Sequence, residues 1–148
     1  MIRIYKLVLA FLMIFWMIGC DQKPNLGAKT VHWDRDMCER CRMVLSDRRF
    51  SAQVVHPDTG KTYLFDDIGC AILWFKENKI DWADRAVIWV NDVKTTSWID
   101  ARKAFYDVEN ITPMAYGFGA HLDQASIAKG QEIIDFDEIK RRVIKIGK

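Results

Sequence analysis

The sequence is poor in net charge, in histidine and in long apolar runs, and each shortage excludes something. Arg3 and Lys6 supply the whole formal charge of +2, so residues 20–148 carry 20 Lys+Arg against 20 Asp+Glu. A neutral surface argues against nucleic acid as a partner and against a dedicated patch for anionic lipid. The three histidines, His32, His56 and His121, stand singly, and each reads as a surface or loop residue before it reads as a ligand. The apolar run over residues 7–18 is twelve residues long, well short of the ~20 that a spanning helix needs. No low-complexity tract and no second linker divides the rest, so one domain is expected. Five tryptophans after the leader, Trp33, Trp74, Trp82, Trp89 and Trp98, give that domain a substantial core.

Residues 1–19 read as an export signal. A short basic start (Arg3, Lys6) precedes the apolar run, which ends Met17-Ile18-Gly19-Cys20. A small residue before a cysteine at that point marks a lipoprotein cleavage site, with the Cys20 thiol taking the lipid. Met17 is a less usual occupant of its position than Leu. The alternative is a short N-terminal anchor helix with an incidental cysteine. Two or three acyl chains on Cys20 would anchor stably, where one would be marginal. Asp21, by resemblance to lipoproteins of Gram-negative bacteria, favours the inner membrane, so the expected location is its outer leaflet, facing the periplasm. Residues 20–30 are expected to form a lipidated anchor and flexible tether, and residues 31–148 the folded domain.

The alternation over residues 50–56, the turn Pro57-Asp58-Thr59-Gly60 and residues 61–65 predict a β-hairpin. Asp67 is the expected N-cap of a helix over residues 68–78, with Ile68, Ala71, Ile72 and Phe75 on one face. Residues 86–90 predict a strand, and residues 98–106 suit either helix or strand. Residues 122–128 read as a helix closed by Gly130. A short strand at 132–135 and a last helix over 137–146, with Ile139, Val143 and Ile146 on its apolar face, complete the chain. The predicted class is α+β with small antiparallel sheet units, an order compatible with two ββα repeats plus a C-terminal strand and helix.

With Cys20 assigned to lipid, Cys38, Cys41 and Cys70 remain, an odd set of thiols in a compartment where disulfides form. At least one is left over, to be buried and inert, reactive, or a metal ligand. The spacing Cys38-Glu39-Arg40-Cys41 brings two sulfurs within reach of one ion or of each other, so a structural disulfide is the plain alternative. Met43 adds a thioether, and thioether with thiolate is a soft donor set that favours Cu(I). Taken alone, Met43 is more often packing than ligand, and Met37 more so. Cys70 falls near the start of the predicted helix, where the dipole favours a thiolate; a small buried residue opposite Trp74 is an equal alternative. Met114, in Thr112-Pro113-Met114-Ala115-Tyr116-Gly117-Phe118-Gly119, is either a local plug or a displayed ligand, and spacing alone favours the plug. His121 is the histidine nearest that loop in sequence.

These blocks, in this order, resemble the nitrous-oxide reductase accessory lipoproteins of the NosL family. The resemblance rests on the leader and Cys20, Cys38-Glu39-Arg40-Cys41-Arg42-Met43, Phe65-Asp66-Asp67 before Cys70, Trp98-Ile99-Asp100-Ala101-Arg102-Lys103-Ala104, and Pro113-Met114 with its glycine-rich loop. It implies a membrane-tethered Cu(I) chaperone rather than an enzyme, serving the reductase through a partner membrane complex. It further implies metal ligation by Cys38, Cys41 and Met43, with Met114 as the further sulfur and Cys70 and His121 as additional candidates. Family members often carry Gly where this chain has Arg42 and Ala115. Two other readings of the same residues are a thiol–disulfide oxidoreductase using Cys38 and Cys41, and a structural zinc module using Cys38, Cys41, Cys70 and one histidine.

Overall fold

The computed structural model describes residues 23–147; the expected leader, Cys20 and Asp21 lie outside them. Among the described residues no helix is long and apolar enough to cross a membrane. The predicted hairpin forms from β1 (Ala52–Val55) and β2 (Thr62–Phe65), paired antiparallel with Ala52 opposite Phe65. Gly60, at a φ of +68°, closes its turn, a conformation that suits glycine because it has no Cβ. Helix α1 (Ile68–Glu77) follows at once, and Asp67 caps it by accepting from the Gly69 N–H at 3.0 Å. Strands β3 (Val87–Asn91) and β4 (Trp98–Asp100) complete an antiparallel sheet in the order β2-β1-β3-β4.

Side chains alternate across a strand, so Ala52, Val54, Tyr63, Phe65, Ile88 and Val90 share one face of this sheet. Helix α1 lies on that face. Trp74 packs its ring 4.7 Å from Tyr63, 5.5 Å from Phe65 and 6.1 Å from Trp82, counted between centroids. Helix α2 (Phe136–Ile146) packs beside α1.

The fold is α+β with antiparallel sheets, as expected; it resolves the open reading over 98–106 and departs from the sequence reading at several later points. Residues 98–106 are two strands: Asp100 accepts from the Arg102 N–H at 2.9 Å and turns the chain out of β4 and into β5 (Phe105–Asp107), which pairs with β6 (Gly119–His121) in a second sheet. Residues 122–128 hold only a 3-10 turn, Gln124–Ser126. There the Ser126 hydroxyl donates to the Asp123 carbonyl at 2.7 Å, and such local bonds compete with helix. Among the described residues the expected second ββα unit, closed by a helix over 122–128, does not form, because β3 and β4 join the first sheet and β6 runs into that 3-10 turn well before α2 begins. Residues 132–135 contribute a single bridge, Ile134 to Tyr106. In α2 the buried face is Phe136, Ile139 and Val143, while Ile146 is exposed.

The described part of the segment expected to be a flexible tether is bonded to the sheet at residues 26 and 29. Gln53 and Trp89 are cross-strand partners on the face away from α1. The Gln53 amide, fully buried, accepts from the Lys29 N–H and donates to the Lys29 carbonyl, both at 2.8 Å. The Trp89 indole N–H donates to the Leu26 carbonyl at 2.9 Å. Replacing Gln53→Ala leaves the paired Lys29 groups without partners, so stability should fall by about 2 kcal/mol. Urea unfolding measures the loss, and limited proteolysis should then cut within residues 23–30, which stay protected in the parent chain.

Candidate metal centre

The residues over 36–45 fold back on themselves as a knuckle. Met37 bridges Val44, the Cys38 N–H donates to the Met43 carbonyl at 2.8 Å, and the Arg42 N–H returns to the Cys38 carbonyl at 3.1 Å. Reversal in so few residues puts Arg42 in the left-handed region, at a φ of +62°. The Glu39 N–H then donates to the Leu64 carbonyl at 2.8 Å and fastens the knuckle to the end of β2. Beyond β2 come Asp66, the cap Asp67 and Cys70 in the first turn of α1, where the Cys70 N–H donates to the Asp67 carbonyl at 3.0 Å.

These two segments bring four side chains together. One donor atom each from Cys38, Cys41, Asp66 and Cys70 lies within 4.8 Å of the other three. Metal–sulfur bonds of about 2.3 Å in a tetrahedral site put donor atoms about 3.8 Å apart, so a modest contraction would complete such a shell. All three thiols are free. Cys38 and Cys70 are completely buried and Cys41 is partly exposed, so Cys41 forms the mouth.

The thiols share protons unequally. A hydrogen bond from the Cys70 thiol lowers Cys38 from the usual 9.0 to about 6, against the cost of burial. The same bond, with burial, pushes Cys70 up. Burial pushes Cys41 up to about 12, and neighbouring Cys38 and Asp66 add to the rise. The Cys41 thiol donates to Asp66 Oδ2 at 3.3 Å. Asp66 is 2% exposed, and its Oδ1 is buried with no hydrogen-bond partner. An orphaned carboxylate oxygen beside three sulfurs is costly unless something occupies it. The donor set fits a thiophilic cation, with Asp66 available as a harder fourth donor.

The remaining candidates are placed as follows. Met43 is on the outer side of the knuckle, 47% exposed. Met114 is partly buried against the core. Its loop is tied down where the Ala115 and Gly117 N–H groups donate to Thr112, at 3.0 and 3.2 Å, and Ala115 takes a φ of +58°. The next residue, Tyr116, covers Gly69 so closely that a Cβ there would lie 2.2 Å from the ring. Burial raises the Asp67 pKa, while the Thr112 hydroxyl, the Gly69 N–H and the Met114 N–H pull it down. The Met114 loop is thus fixed against the turn of α1 that carries Cys70.

His121 is elsewhere. It is buried in β6, with Nδ1 2.8 Å from Ser126 Oγ and Nε2 3.2 Å from Asp107 Oδ2, outside the four-donor group. The fourth member of that group is Asp66, which sequence reasoning passed over because its neighbour Asp67 accounted for the pair as a helix cap. Cys38 and Cys41 sit in the knuckle rather than at a helix N-terminus, unlike the arrangement of a thioredoxin-type site.

Two consequences are measurable. Metal-free folded chain with Cys38 ionised binds fewer protons than unfolded chain between about pH 6 and 9.0. The contribution is therefore complete above the unfolded value and lost as pH falls through the folded one. Cys41 and Cys70, shifted the other way, oppose it only above pH 9.0. The melting temperature of reduced, metal-free protein should rise from pH 6 to 9, and Cys38→Ser should flatten that rise. Separately, Arg42→Gly and Ala115→Gly should each stabilise the chain by about 0.5–1 kcal/mol, because an L side chain is strained in the left-handed region. Urea midpoints at or below the parent value in both variants would contradict this.

Residues 30–144 match the family model described as NosL. The fold is similar to the crystal structure of the copper chaperone NosL from Shewanella denitrificans. That similarity has a TM-score of 0.59 at 16% identity and covers 78% of this chain and 96% of the other. None of the curated proteins compared with the chain matches it. Three thiols closed onto a buried aspartate thus occur in a chain whose family model covers most of its length, and the chain belongs to the NosL family.

Proposed function

We propose that this protein is a copper carrier that holds Cu(I) on the Cys38, Cys41 and Cys70 sulfurs and passes it to an acceptor during maturation of an exported cuproenzyme. The observation that carries this reading is the four-donor group with one thiol at its mouth. Support comes from family membership and from the copper chaperone with the same fold. Thiolate and thioether sulfur suit Cu(I), and Met43 and Met114 lie on the knuckle and on the loop packed against α1. Cu(I) is cargo here, and the chain performs no turnover.

The residues divide the work. Cys38, ionised most easily, offers the first thiolate, and loading displaces the protons of Cys41 and Cys70. Cys41, partly exposed, is the sulfur that an acceptor's ligand reaches, so the ion moves by ligand exchange without entering solution. In this reading Cys20 carries the lipid, the protein rides on the outer leaflet of the inner membrane facing the periplasm, and the acceptor belongs to the membrane machinery that matures nitrous-oxide reductase. Anchoring raises the local concentration of the carrier at that machinery.

A second reading, a zinc-type ion held structurally, is favoured by one observation: Asp66 supplies a hard oxygen beside the three sulfurs. Anaerobic titration of the full chain in detergent separates the two. Stoichiometric Cu(I) uptake against a competing chelator, abolished in Cys38→Ser/Cys41→Ser, is expected, and uptake unchanged in that double variant would remove the site assignment. Zinc that co-purifies, and whose removal collapses the melting transition, would favour the second reading.

A further inference from the structure

Arg40 lies between the two cysteines of the knuckle, yet its side chain is only 16% exposed. Its guanidinium grips Glu77 at the end of α1, with Nε 3.0 and 3.1 Å from the two carboxylate oxygens and Nη2 2.7 Å from one of them. Nη1 reaches the Tyr116 hydroxyl at 3.4 Å. Cys70 and Glu77 are two helical turns apart and so share a face of α1. Arg40 lies along that face, and the Cys70 sulfur is among the groups that keep the guanidinium charged. One side chain therefore joins the three segments that carry the sulfurs: the knuckle with Cys38 and Cys41, the helix with Cys70, and the loop with Met114.

We propose that Arg40 is the positioning residue of the site: gripping Glu77 and Tyr116, it holds the knuckle closed over Cys70 and sets how slowly bound Cu(I) leaves. The proposal rests on the copper reading above for its cargo, while the closure itself is a property of the metal-free chain. Two effects combine. The forked grip fixes orientation in a way a point charge does not. A fixed cation beside the sulfurs also offsets the negative charge that two or three thiolates retain around a monovalent ion. Ordinary surface ion pairs contribute little, and Glu77 is half exposed, so the expected consequence lies in the site rather than in global stability.

The test uses the full chain in detergent, reduced and loaded with Cu(I), then challenged with excess bicinchoninate. Arg40→Gln should release copper about tenfold faster. Arg40→Lys, which keeps the charge without the fork, and Glu77→Gln, which keeps the cation and loosens its grip, should fall between. In metal-free protein, iodoacetamide should label Cys41 faster in Arg40→Gln, with the melting temperature close to that of the parent. Release from Arg40→Gln at the parent rate would overturn the proposal. Should that variant fail to fold, release and labelling at parent rates in Glu77→Gln would overturn it equally. If the parent chain never takes up Cu(I), the copper reading falls, and labelling alone decides the clamp: faster labelling in Arg40→Gln sustains it and unchanged labelling sinks it.

Discussion

The Glu39 N–H donates to the Leu64 carbonyl at 2.8 Å, and this bond ties the knuckle that carries Cys38 and Cys41 to the strand that leads to Cys70. The knuckle has little apolar surface with which to hold itself down. Met37, Met43 and Val44 are about half exposed, and Cys38 and Leu45 are its fully buried members. Joining the edge strand β2 through one backbone bond fixes the register of the turn against the sheet. A slip of one residue would turn Cys38 outward and a charged neighbour inward. Because β2 runs directly into Asp66, Asp67 and α1, the same register carries the knuckle to Cys70.

Two adjacent aspartates, both nearly inaccessible to solvent, divide between structure and site. Asp67 has an obligation within the fold, since its Oδ1 caps α1. Among the described residues the Asp66 side chain accepts from the Cys41 thiol at 3.3 Å, and one oxygen of each aspartate, Asp66 Oδ1 and Asp67 Oδ2, is buried without a hydrogen-bond partner. Burying a carboxyl so thinly satisfied is expensive. A centre of this kind is less comfortable empty than filled, and whatever it binds in the folded state adds directly to stability. Burial of these donors would couple any occupancy of the site to the fold.

Local chemistry made part of this legible in the chain. The hairpin turn, the Asp67 cap, the helix bearing Cys70 and the Cys-x-x-Cys block are written within spans of ten residues or so, and each formed close to where pattern placed it. What escaped depends on partners distant in sequence. Asp66 becomes a donor only when the knuckle, 25 residues earlier, brings Cys41 to it. Arg40 reads as a surface cation until Glu77 and Tyr116 are seen on either side. The segment over 25–29 is polar enough to look like a linker. Its one signal was on the other side: a glutamine in an otherwise apolar strand, Ala-Gln-Val-Val, needing a partner for its amide. Residues 122–128 failed in the opposite sense, because Asp123 and Ser126 make the bonds of a helix start without an apolar face to continue it.

Two of the six non-glycine residues with left-handed backbone among the described residues stand next to a methionine. Arg42 precedes Met43, Ala115 follows Met114, and both adopt left-handed backbone, the conformation that favours glycine. The turns keep their shape without it because each is held from outside. The Arg42 N–H is bonded to Cys38, and the Ala115 N–H to Thr112, while Tyr116 is wedged onto Gly69. Such over-determined strain is characteristic of loops kept in one conformation for a task. The donors so held run from outside inward: Met43 half exposed on the knuckle, Cys41 at the mouth, then Cys38 and Cys70 sealed in the core. In the proposed delivery an ion would travel that series in reverse. In that proposal the fixed turns would keep the outermost sulfur from collapsing onto the protein, where it would be lost to the next ligand.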